Sequence, residues 1–85
     1  MEYVAECFWS GVTEADLAQL DSRAHASADE GGVRYLGSML MPEDEVVFCF
    51  FDGATHEAVE GVATRAQIPF ERIVESIRVT ERWRT

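Results

Sequence analysis

Residues 45–52, Glu-Val-Val-Phe-Cys-Phe-Phe-Asp, set six consecutive apolar side chains between acidic ends. Successive side chains of a strand point to opposite faces, so a run of this length leaves neither face suited to water. The pattern predicts a central strand covered on both sides. At 85 residues the chain forms a single domain, 1–85, with one small core. That length cannot supply helical layers to both faces of a sheet, so one face is expected to be covered by another subunit or a ligand.

The remaining elements follow from periodicity and punctuation. Tyr3, Ala5, Cys7 and Trp9 alternate with Val4, Glu6 and Phe8, which marks residues 2–9 as a first strand ended by Ser10-Gly11. Thr13 offers an N-cap with Glu14 and Asp16 in the first turn, and Leu17, Leu20, Ala24 and Ala28 recur at helical spacing. A helix over residues 14–29 therefore ends at Gly31-Gly32. Val33 to Met41 read as a second strand, and Pro42-Glu43-Asp44 turn the chain into the apolar run. Gly53 and Thr55 open a second helix with Val59, Val62, Ala63 and Ala66 on its buried stripe, and Pro69 stops it. Ile73 to Thr80 form a last strand with Ile73, Ile77 and Val79 on one side. The order β-α-β-β-α-β predicts an α+β, ferredoxin-like sandwich: a four-stranded antiparallel sheet with two helices on one face. Right-handed crossovers put the first and third strands at its centre.

Composition excludes several classes. A formal charge of −9, with all seven basic residues Arg, opposes binding to nucleic acid or to an anionic membrane. No stretch approaches the roughly 20 apolar residues of a membrane span, and the start lacks the pattern of a signal peptide, so a cytoplasmic setting is expected. Cys7 and Cys49 sit inside strand patterns without CxxC spacing, as buried thiols do; a disulfide is the sharper alternative.

Pointing both cysteines at the helices turns their neighbours to the open face. Val4, Glu6 and Phe8 then share it with Val46, Phe48 and Phe50. With Leu36 and Leu40 facing the helices, Tyr35, Gly37, Met39 and Met41 join them. This aromatic and Met-rich patch predicts a homodimer through the open face, with Phe8, Tyr35, Gly37, Met39, Phe48 and Phe50 as candidate contacts for a small-molecule ligand. Gly37 adds a gap for close approach. Glu6 on that face needs pairing, water, a proton or a metal; Arg78 and Glu75 on the last strand are the neighbours in reach. Left unpaired, its carboxyl would suit a general acid or base. His56 and Glu60, four apart on the second helix, could both approach one metal ion. No phosphate-binding loop, nucleophile elbow or HExxH motif occurs, and the residues themselves imply no cofactor.

Several short features occur together: Tyr3-Val4-Ala5-Glu6, then Val12-Thr13-Glu14-Ala15-Asp16-Leu17, then Phe48-Cys49, and finally Ile68-Pro69 followed by Arg72-Ile73 and Glu75. In this order the chain resembles a family of small bacterial ferredoxin-like proteins, mostly of unknown function, that includes a nickel-binding member. The resemblance implies a dimer and a divalent metal, nickel, and carries over Glu6, Cys49 and Glu75. Relatives tend to have a His in the second strand and another in the second helix, where this chain has Gly37 and Val62. Losing two imidazoles removes natural nickel ligands, and Gly37 instead widens a pocket for an organic molecule. Two functions are therefore expected to compete: a ligand-binding dimer, and a small cofactor-free enzyme of the cyclase or isomerase type in natural-product metabolism, with Glu6 as its acid or base and Glu75 as a second candidate catalytic residue.

Overall fold

The sheet has strand order β2-β3-β1-β4, with β1 Glu2–Phe8, β2 Arg34–Met41, β3 Val46–Asp52 and β4 Arg72–Ser76, and every neighbouring pair is antiparallel. The computed structural model describes residues 1–79; Thr80 of the expected last strand, and Arg82, Trp83 and Arg84, lie outside the described residues. Helix α1, Glu14–Gly31, starts at a capping box in which the Asp16 amide donates to Thr13 Oγ1 (3.1 Å) and the Thr13 amide to Asp16 Oδ2 (3.0 Å). It ends at Gly32, whose φ of 69° is the left-handed conformation glycine tolerates best. Helix α2, His56–Arg65, is capped by Thr55.

Both helices cover one face. Tyr3, Ala5, Cys7, Tyr35, Val47, Cys49, Phe51 and Ile73 point toward them, meeting Leu20, Ala24 and Ala28 of α1 and Val59, Val62 and Ala63 of α2. The helices approach closely where Gly31 lies on α2, a Cβ there falling 2.6 Å from a Val62 methyl, and Ser27 donates to the Val62 carbonyl at 2.8 Å. Among the described residues no helix is long and apolar enough to cross a membrane.

Two expectations are corrected. Between Tyr35 and Gly37 the β2–β3 register shifts: Tyr35 pairs with Phe51 and Gly37 with Phe50, leaving Leu36 as an extra, bulged residue. The alternation inverts there, so Tyr35 is buried and Leu36 is not. Gly37 has a φ of 123°, which is why a residue without a Cβ stands at the bulge. Strand β4 also stops at Ser76, because its partner β1 begins at Glu2, opposite Ser76, and offers nothing for later residues to pair with. Ile77 and Val79 are accordingly 83% and 87% exposed and do not share the side of Ile73.

Phe51 is the largest fully buried side chain and the centre of the layer between sheet and helices. Phe51→Ala should cost about 3–5 kcal/mol, a large part of the roughly 5–15 kcal/mol typical of a whole domain. Urea denaturation measures it; a loss under about 1 kcal/mol would contradict this packing.

Candidate functional site

The uncovered face is where the fold leaves chemistry exposed. It carries Val4, Glu6 and Phe8 from β1, Val46, Phe48 and Phe50 from β3, Leu36, Gly37, Met39 and Met41 from β2, and Val74 from β4. Phe8 is 62% exposed, Met39 49% and Leu36 37%, while Phe48 and Phe50 are half-buried by their neighbours. Such a contiguous apolar surface marks an interaction site.

The charges on this face are all paired. Glu6 stands opposite Arg72 on β4 and receives two hydrogen bonds from it, Nε to Oε1 at 2.9 Å and Nη2 to Oε2 at 3.2 Å. This fork is the strong, geometrically selective form of the ion pair, and it raises the Arg72 pKa further. Arg78, expected beside Glu6, instead binds Glu2, with Nη2 at 3.1 Å from Oε1. Asp52 takes the Met1 amine at 3.0 Å and Arg34 at 3.9 Å. Glu75 pairs across from Tyr3, on the helix side of the sheet. Glu6 and Glu75 therefore lie on opposite faces, and the two candidate catalytic carboxylates are not brought together.

Tyr35 leaves the site for the core, where it is 8% exposed. Ser38 Oγ donates its one proton to Cys49 Sγ at 3.1 Å, so the Tyr35 hydroxyl is the donor in its bond to Ser38. Both thiols are free and buried, and the Cys7 thiol is directed at the Ala5 carbonyl, 4.0 Å away. The neighbouring Cys49, and then burial, push the Cys7 thiol up, whereas the neighbouring Cys7 and the Ser38 hydroxyl favour ionisation of Cys49 against its burial. The edge of the His25 ring packs on Tyr35 with centroids 4.8 Å apart.

His56 and Glu60 are adjacent, Nδ1 to Oε1 being 3.7 Å, but His56 Nε2 is 2.9 Å from the Ile73 carbonyl and therefore carries the ring proton. This pair lies on the helix side, remote from the open face. Among the described residues no three His, Cys, Asp or Glu side chains come together to hold a metal ion. Two donors do not make a nickel centre, so the described residues of one chain do not assemble one.

Residues 3–75 match the family model described as "Nickel responsive protein SCO4226-like". The chain belongs to this family. The crystal structure of SCO4226 from Streptomyces coelicolor A3(2) is similar to it with a TM-score of 0.82 and 21% identity, over 94% of this chain and 100% of that one, a likeness that shows the shared fold. A search of the curated proteins finds no match. The family's sandwich is thus the architecture that the element order implied.

Sequence alternation found Gly37, Phe8, Met39, Phe48 and Phe50. It missed Leu36, hidden by the bulge, and Arg72, whose pairing depends on a register that spacing alone does not fix. Burial pushes the Tyr35 phenol up to about 12. A raised phenol pKa stabilises the fold below the ordinary value near 10, and that contribution is lost as pH rises toward 12. Ultraviolet titration should show one of the two tyrosines ionising late, together with loss of the circular dichroism of the fold. Complete ionisation of both near pH 10 with the fold intact would contradict the buried placement.

Proposed function

We propose that this small ferredoxin-like protein works as a homodimer joined through its open sheet faces, with a small organic ligand enclosed between them in a reducing, cytoplasmic setting. The observation that carries this reading is a segregation of charge. Residues 1–79 contain fifteen carboxylates, of which only Glu2, Glu6 and Asp52 lie on the open face, each beside its own arginine. The other twelve share Arg23 and Arg65. Like charge therefore keeps two copies apart everywhere except at this apolar, locally neutral surface, where a second copy can dock without repulsion. The half-exposed Phe8, Leu36 and Met39 supply the driving force.

Sedimentation of the native chain and of Phe48→Asp tests the interface. A carboxylate placed at the centre of the apolar face should raise the dimer dissociation constant about 100-fold or more. A native monomer at micromolar concentration, or a variant as dimeric as the native chain, would overturn the proposal.

The family description speaks of nickel response, and relatives with more imidazoles would have the ligands for it. Here the spaced pairs among the described residues are His56 with Glu60, one ring nitrogen of which is committed to Ile73, and His25 with Asp21, and each offers one carboxylate and one imidazole. Calorimetric titration of nickel into untagged protein should give weak binding or none, unchanged by His56→Ala. Submicromolar binding that His56→Ala abolishes would reverse this conclusion.

A further inference from the structure

Beyond the end of β4 the chain passes over one end of the open face, and two clefts meet there. The first, about 170 Å³, is lined by Glu2, Phe50, Ser76, Ile77 and Arg78. The second, about 270 Å³, is lined by Leu36, Gly37, Ser38, Met39, Phe50 and Arg78. Phe50 and Arg78 belong to both, so the clefts are two lobes around one ring and one guanidinium.

Three features of this place bear on what it could bind. Ser76 lines the first lobe, and its Oγ is buried with no hydrogen-bond partner among the described residues. A native structure seldom leaves a buried hydroxyl unsatisfied, and such a group points to a missing partner. Arg78 turns Nε and Nη2 toward Glu2, the bonds running from 3.1 to 3.4 Å, and no hydrogen bond among the described residues uses its Nη1. At Gly37 a Cβ would meet nothing within 4 Å, so the bulge opens the floor of the second lobe.

We infer that these lobes form a binding site for a small apolar monocarboxylic acid, its carboxylate between Arg78 and Ser76 and its hydrocarbon body over Phe50 toward Gly37 and Leu36. Ser76 stands in the first lobe with Arg78, which also balances the Glu2 carboxylate there, and Leu36, Gly37 and Met39 stand in the second, so the site runs from a polar end to an apolar one as such a molecule does. A guanidinium edge and a hydroxyl match a carboxylate's oxygens, and a partly neutralised arginine holds it without demanding a second charge. The lobes are small beside the roughly 300–1,000 Å³ of drug-sized pockets, so a single-ring acid is the right scale. In a chain of net charge −9 an organic anion is repelled by most of the surface, which confines it to the arginine-balanced face. The assignment rests on the open face being the working face and adds the class of ligand it takes.

Benzoate, with benzamide as its neutral counterpart, tests the site by amide-resolved NMR titration of the intact chain, with sedimentation of the same samples. Benzoate should shift the amides of Gly37, Phe50, Ser76 and Ile77 saturably, and benzamide should bind about tenfold more weakly or worse. Arg78→Gln should weaken benzoate by about tenfold or more, and Ser76→Ala, which removes one oxygen and disturbs nothing else, by several-fold. No saturable shift up to about 10 mM, equal binding of benzamide, or binding unaffected by both substitutions would overturn the inference. A protein that sediments as a dimer but ignores benzoate loses only this ligand class; one that binds benzoate as a monomer loses only the dimer.

Discussion

A sheet needs cover on both faces when its central strand is apolar throughout, and the described residues cover only one. Helices α1 and α2 bury Tyr3, Cys7, Cys49 and Phe51, but the intervening Val4, Phe48 and Phe50 face the other way. Every large apolar side chain left in water forgoes roughly 1.5–3 kcal/mol of transfer free energy, a serious fraction of the stability of so short a domain. The topology makes the deficit unavoidable: two crossovers in a β-α-β-β-α-β order both return on the same side of the sheet. What the protein does is therefore bound up with what meets the second face.

The ion pairs adapt that face to being covered. A bare carboxylate at Glu6, between Val4 and Phe8, would make desolvation expensive. The fork from Arg72 satisfies both of its oxygens within the chain, so the face can lose its water without an unpaired charge. Glu2 is held in a similar way by Arg78, and Asp52 accepts from the amino terminus with Arg34 3.9 Å away. The excess of acid is left to the helices and turns, where solvent screens it.

Much of this was legible in the sequence because it depends on periods. The six-residue run in β3, the Thr13 capping box and the stripe Val59, Val62 and Ala63 each state a local geometry, and together they determine the sandwich and the face it exposes. What could not be read depends on register. A single extra residue at Leu36 moved Tyr35 from the open face to the core, and nothing in Arg-Tyr-Leu-Gly-Ser announces a bulge beyond the glycine itself. The partner of Glu6 was displaced by the same kind of uncertainty: Arg78 and Glu75 were the neighbours in reach, and only the hydrogen-bonded ladder, which sets Glu6 opposite Arg72, decides. The unsatisfied Ser76 hydroxyl is a fact of three-dimensional packing and has no signature in the sequence.

The central claim is that the second face is closed by a second copy of the same chain. Isotope-filtered NOE spectroscopy on an equal mixture of carbon-13-labelled and unlabelled protein reads this directly, because only contacts between copies survive the filter. The account predicts intermolecular contacts among Met39, Met41, Phe8 and Phe48, with none from α1 or α2. Intermolecular contacts that arise from the helices, or none at concentrations where the protein sediments as a dimer, would contradict it.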